Sequence, residues 1–142
     1  MRDRRAHGRL LAGDVGELVG VSGTTIGQWA RRGYILSSQR EAEPRRYSVE
    51  DVAEAAIVHA MLERGVRRPD IRRAVARLRA SGRPWPLSAA RLATAHDGGG
   101  RARLLLHHDG GWHELGPRGW QRVVVPGALE EVRLRLRTAA AA

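Results

Sequence analysis

The side chains best suited to chemistry in this 142-residue chain are its histidines, carboxylates and arginines. His96, His107, His108 and His113 fall in the second half, the last three around the dipeptide Asp109-Gly110. Two imidazoles and a carboxylate make part of a metal site, but a closed site needs about four ligands, and the sequence places no third or fourth convergent ligand beside them. If Asp109-Gly110 is a two-residue turn, Leu106 pairs with His113 and His107 with Trp112, while His108 and His113 share one face diagonally. That is an ordinary setting for surface histidines on a hairpin, so neither a metal nor another cofactor is expected. The chain has no Cys, which removes thiolate zinc sites, thiol sensing, disulfides and cysteine nucleophiles together. Gly98-Gly99-Gly100 lacks the Lys-Ser/Thr and helix of a phosphate-binding loop. No Ser-His-Asp spacing or paired-carboxylate motif stands out, and enzymatic activity is not expected.

The arginines are a different matter. All 25 basic residues are Arg, against 15 acids, for a formal charge of +10. Coding bias in a GC-rich genome explains Arg in place of Lys; it does not explain an excess of cations. Such an excess favours a polyanionic partner, because each neutralised phosphate releases condensed counterions. Residues 1–47 carry +4, residues 48–82 carry +2 and residues 83–142 carry +4, so no stretch is a charged tail. No apolar run approaches the roughly 18 residues that span a bilayer, and the start MRDRRAHGRLLAGD lacks the apolar core of a secretory signal. A cytoplasmic protein with no membrane partner is expected.

These side chains must be positioned by elements whose periods change along the chain. Val15, Leu18 and Val19 give a short helical face; Ser22 stands as N-cap of a second helix from about Gly23 to Arg32, with Ile26 and Trp29 inward and Gly33 beyond its end. Tyr34-Ile35-Leu36 and Arg45-Arg46-Tyr47 read as the arms of a small hairpin around a polar loop. A third helix opens at Ser48-Val49-Glu50-Asp51, a capping-box-like S-x-x-D, and stops at Gly65. A fourth runs from about Arg68 to Ala80. At Ser81-Gly82-Arg83-Pro84-Trp85-Pro86 the composition breaks, and the period changes to two. Arg101–His108, Gly111–Leu115 and Gln121–Val125 read as strands, Ala128–Arg137 as a helix, and Arg91–Ala95 as either. The fold class is α+β. Its expected domains are a helical one with a β wing over 10–82, a Pro-rich linker over 83–86 and a small β-rich one with a C-terminal helix over 87–137. Residues 1–9 and 138–142 are expected to be loose ends.

The order of elements in the first half resembles the MerR-type winged helix-turn-helix domain. The residues that carry it are Val15 and Leu18, Val21-Ser22, Thr25-Ile26, Trp29, Gly33-Tyr34-Ile35, Arg45, Tyr47, Ser48 with Asp51, Gly65-Val66 and Ile71-Arg72-Arg73-Ala74. About half of the chain is covered. The resemblance implies binding of double-stranded DNA with the second helix in the major groove, where exposed side chains near its start reach base edges. Those are Thr24, Thr25 and Gln28. Gln pairs bidentately with adenine and Thr reaches a base, a phosphate or a thymine methyl; equally, Thr24 and Thr25 serve as helix caps. Arg31 and Arg32 either complement the helix dipole or reach phosphate. Arg40, Arg45 and Arg46 sit in or beside the wing, where guanidinium groups meet phosphate oxygens. Tyr47 aligns with a phosphate-contacting wing tyrosine, or else packs its ring in the core. Trp29 belongs to the core.

The chain also departs from the family. Gly27 stands where an arginine often follows the Thr-Ile pair, Gln28 replaces the next aromatic, and Arg46 replaces the first wing tyrosine, so base preference does not transfer. Pro84 and Pro86 interrupt the long antiparallel helix through which family members dimerise. The leading reading is a MerR-like transcriptional regulator acting as a homodimer or higher homo-oligomer, with the second half mediating self-association, partner binding or sensing. The alternative is an antitoxin or adaptor that binds its own operator through the basic domain and a toxin-like protein through residues 87–142; the second half weakly resembles small domains appended to such proteins. RNA binding fits the charge, but the stacking platforms of the usual RNA modules are missing, with 4% aromatic residues and no Phe.

Overall fold

The computed structural model describes residues 8–35, 44–96, 102–124, 129–133 and 136. The chain divides into two compact units, residues 1–56 with 134–142, and residues 57–133. The division falls inside one helix. Pro84 and Pro86, where the composition breaks, lie within the second unit.

The first unit holds α1 (Ala12–Val19), α2 (Gly23–Arg31) and the opening of α3 (Val49–Glu63). Each start is fixed by a short polar side chain. Asp14 accepts the Leu11 N–H at 2.9 Å before α1, and Ser22 Oγ accepts the Thr25 N–H at 3.1 Å at the head of α2. Before α3, Ser48 Oγ accepts the Asp51 N–H at 3.1 Å while Asp51 Oδ2 accepts the Ser48 N–H at 2.8 Å, the reciprocal capping box that the sequence predicts. Gly20, with φ +98°, ends α1 in the left-handed region and turns the chain into α2. The core is Val15, Val19, Ile26, Trp29, Tyr34, Ile35, Tyr47, Val52, Ala55 and Ala56, all buried. Of the predicted hairpin, Tyr34 and Ile35 are buried bends, and Leu36 to Glu43 fall outside the described residues. Tyr47 instead pairs with Leu10, ahead of α1: Leu10 N–H reaches Tyr47 O at 3.0 Å, and Tyr47 N–H reaches Leu10 O at 2.8 Å.

The second unit holds the rest of α3, then α4 (Arg68–Ala80), a four-residue α5 (Pro86–Ala89) and an antiparallel sheet. The strands are β1 (Arg91–His96), β2 (Ala102–His108), β3 (Gly111–Gly116), β4 (Gly119–Arg122) and β5 (Glu130–Glu131), in the order β4-β3-β2-β1-β5. Asp109 (φ 48°) and Gly110 (φ 72°) form the expected primed turn. The register follows from it: Leu106 opposes His113, His107 opposes Trp112, and the His108 and His113 rings lie 6.0 Å apart. Among the described residues no group of three or more His, Asp or Glu side chains gathers as a metal site. After α4 ends, Pro86 starts the short α5 and β1 follows at Arg91, so residues 81–96 contain no long helix.

The expected C-terminal helix is corrected. Residues 130–131 are β5, paired with β1 through Ala93 with Glu131 and Thr94 with Glu130, and the Val132 N–H bonds Leu92 O at 2.9 Å. The open edge of β1 presents backbone groups that need partners. Successive strand residues point to opposite faces, so Glu131 pairs with Arg91 on one face while Glu130 lies 3.4 Å from Arg64 on the other. Leu129 packs with Trp112 and Val123 against Ala93, Ala95 and Leu105. The predicted strand 121–125 begins earlier, at Gly119; Val123 still donates its N–H to Trp112 O at 3.0 Å, and Val125 lies outside the described residues. On the opposite face His96 Nε2 sits 2.9 Å from the Arg64 carbonyl oxygen, joining the sheet to the end of α3.

Candidate nucleic-acid interface

Two short helices can present side chains to a ligand only if their mutual angle is fixed, and here it is fixed backbone against backbone. A Cβ added to Gly16 in α1 would fall 2.4 Å from the Val21 carbonyl oxygen, and one added to Gly23 would fall 3.0 Å from both N and Cα of Gly13. Any side chain at these two places would force the helices apart. The rotation of α2 about its own axis is set by Ile26 and Trp29, 0% and 3% exposed. With those turned inward, the opposite face carries Thr24, Gln28 and Arg31, spaced four and three residues apart.

Thr25 has a different position. It is half-buried, its N–H is bonded to Ser22 Oγ and its hydroxyl oxygen lies 2.9 Å from that of Ser22. Thr25 therefore completes the cap of α2, and Thr24 is the threonine that stands on the outer face. Arg32 is the exposed C-cap of α2. Arg31 folds back along the helix, with Nη1 3.4 Å from the place a Gly27 Cβ would take. The missing side chain at Gly27 makes that path open.

Arg31 reaches a cleft of about 490 Å³ bounded by the start of α1, by α2 and by Pro44, Arg45 and Tyr47. The ring of Tyr47 forms its floor and is 1% exposed. Burial pushes the Tyr47 phenol above its usual range; Arg45, beside it and hydrogen-bonded to it, pulls the other way, Asp51 adds to the rise and Arg31 opposes it. Tyr47 is thus a core residue whose hydroxyl is hydrogen-bonded to Arg45. Arg46 is half-buried next to it, and Arg40 lies outside the described residues. Of the nine residues singled out from sequence, the structure gathers Arg31, Arg45 and Tyr47 at one cleft, with Thr24 and Gln28 on the adjoining helix face. Leu11, Ala12 and Gly13, which also line the cleft, carry no chemical signal in their side chains that sequence reasoning could have used.

A helix-turn-helix with its second helix exposed on one face and cations at its end is the scaffold of a DNA-binding regulator. Residues 12–78, just under half of the chain, match the family described as MerR HTH family regulatory protein. Over these residues the chain is similar to that family of regulators. Comparison with curated proteins and with solved structures returns no match. No helix among the described residues is long and apolar enough to cross a membrane.

Proposed function

We propose that this protein is a sequence-specific, double-stranded-DNA-binding transcriptional regulator that reads the major groove with α2. Thr24 and Gln28 contact base edges. Arg31, Arg32, Arg40, Arg45 and Arg46 contact phosphate, and Thr25 and Tyr47 hold the reading helix and the wing arginine in place. The observation that carries this reading is the pairing of an outward polar face, Thr24-Gln28-Arg31, with Arg45 brought beside Arg31 across the cleft. We assign DNA binding to residues 10–82 and self-association, with partner binding or sensing, to residues 87–137. Two copies on repeated half-sites supply the symmetry that such regulators use.

Selection of bound fragments from random DNA tests the claim, followed by mass measurement of the complex. One enriched motif with spaced half-sites and a mass of two or more chains is the expected result. On the selected site, Arg45→Ala with Arg46→Ala should weaken binding to all sequences and lower the salt slope by about 2, one for each phosphate no longer neutralised. Gln28→Ala should mainly change the preferred base at one position. An unenriched pool would end the proposal, and an unchanged salt slope would remove the wing from it.

A further inference from the structure

A second cavity lies wholly within residues 57–133, between the last turn of α4, the end of α5 and the strands β1, β2 and β4. Its volume is about 360 Å³, within the range of small-molecule sites. Its apolar lining includes Leu78, Leu106 and the Trp120 side chain, and its cations are Arg77 and Arg83, with His108 at one side. Among the described residues no carboxylate lines it. Arg91, at the margin, is matched by Glu131 and lies over the Trp112 ring, 5.3 Å from its centroid. The acid nearest His108, Asp109, already pairs with it at 3.2 Å.

Arg77 and Arg83 are in another condition. Among the described residues Arg77 donates to the Pro117 carbonyl at 3.5 Å and Arg83 to the Ala89 carbonyl at 3.4 Å, and no carboxylate pairs with either. Both contacts are long for a guanidinium hydrogen bond. Two guanidinium forks, weakly occupied and sharing one cavity with an indole and two leucines, match a molecule with an anionic end and a flat apolar body. Guanidinium recognises carboxylate in bidentate geometry, and an aromatic wall takes a ring by stacking. We propose that this cavity binds small organic acids, a carboxylate on an aromatic ring system, with Arg77 and Arg83 holding the carboxylate and Trp120, Leu78 and Leu106 the ring. The proposal uses residues of the second unit alone and does not rest on the DNA-binding reading.

The test uses the full chain without DNA, with 1-naphthoate as probe and 1-naphthamide as its neutral counterpart, followed by titration calorimetry. Naphthoate should bind saturably, one per chain, with Kd in the range of roughly 10 μM to 1 mM for a ligand of that size. Naphthamide should bind about tenfold or more weakly, because it forfeits the charge-assisted bonds. Arg77→Gln with Arg83→Gln should cost naphthoate about tenfold or more. Arg77 lies over Gly119, so the single variant Arg83→Gln, in an exposed loop, gives the same reading if the double variant does not fold. A protein this basic attracts anions in general. Arg68→Gln with Arg72→Gln removes two exposed charges from α4 outside the cavity and should leave naphthoate affinity unchanged. Absence of saturable binding, equal binding of acid and amide, or equal losses in the cavity and control variants would each overturn the proposal.

Discussion

Gly16→Ala isolates the contact on which the helix-turn-helix geometry, and with it the proposed DNA reading, rests. The new methyl would stand 2.4 Å from the Val21 carbonyl oxygen, 3.0 Å from the Ser22 carbonyl carbon and 3.1 Å from the Gly23 nitrogen. Non-bonded heavy atoms are most favourable at about 3.5–4.0 Å, so the turn would have to withdraw by about 1 Å. None of the three atoms is the tip of a flexible side chain. The Gly16 carbonyl also accepts the Gly20 N–H at 2.7 Å and the Val21 N–H at 3.0 Å, and a withdrawing turn stretches both bonds. Overpacking of this kind costs about 3 kcal/mol, the upper end of its usual range, against a helix-propensity gain of about 1 kcal/mol for Ala over Gly. The expected net loss is about 2 kcal/mol, or a fall in Tm of roughly 7 °C for a chain of this length. Gly13→Ala is the internal control. It lies in the same helix, and its added methyl meets nothing within 4 Å, so only the propensity gain applies and stability should rise by a few tenths to about 1 kcal/mol. Thermal unfolding followed by circular dichroism, with both variants side by side, reads the difference in sign. If Gly16→Ala were as stable as Gly13→Ala, α1 and the turn would not be packed backbone to backbone, and the account of how α2 is aimed would fail.

Ser48→Ala removes one half of a buried capping box and leaves the Asp51 N–H without its acceptor. Urea unfolding should show a loss of about 1 kcal/mol, and an unshifted midpoint would mean that the box contributes nothing to α3. Tyr47 gives a pH test that the composition makes unusually clean, since the chain has neither Lys nor Cys and its two tyrosines are the only side chains that titrate near pH 10. Its phenol titrates above the unfolded value of 10.0. The stability linked to it is therefore complete below pH 10 and is lost as pH rises through the folded value. Tyr47→Phe should flatten this alkaline loss of stability in urea titrations between about pH 9 and 12, and an alkaline limb identical to that of the parent protein would sink the assignment.

What could be read from the sequence was mostly local. Ser22, Ser48 and Asp51 announce helix starts because a cap hydrogen bond spans only three residues, and Asp109-Gly110 dictates the register of β2 on β3 because a two-residue turn leaves no freedom in it. The missed features depend on partners far along the chain. Leu129-Glu130-Glu131-Val132 satisfies a helical spacing as well as a strand, and only the open edge of β1, with Arg91 and Arg64 on its two sides, selects the strand. Leu10 pairs with Tyr47 across the whole helix-turn-helix. At the site, the polar face of α2 followed from burying Ile26 and Trp29. The division of labour between Thr24 and Thr25 did not, because it turns on one hydroxyl–hydroxyl contact with Ser22.

The uniform +10 of the sequence conceals two different uses of acid. In the second unit most described carboxylates are matched to guanidinium groups, Asp70 with Arg73, Glu114 with Arg103, Glu131 with Arg91 and Arg133, Glu130 with Arg64, while Glu63 and Asp109 lie against His59 and His108. In the first unit Asp14 and Asp51 are turned to backbone N–H groups at helix starts, and among the described residues no carboxylate forms an ion pair with Arg31, Arg32, Arg45 or Arg46. Equal formal charge in the outer segments of the sequence therefore produces unequal fields. A cation already paired with a carboxylate gives up that pairing on meeting phosphate, whereas an unpaired one gains the full counterion release. The same logic separates the two proposed sites. The proposed DNA-binding face uses cations near acids that accept backbone N–H groups, and the proposed second cavity uses Arg77 and Arg83, whose described hydrogen bonds go to carbonyl oxygens. In both places the position of the acids, more than the number of arginines, decides where an anion can bind.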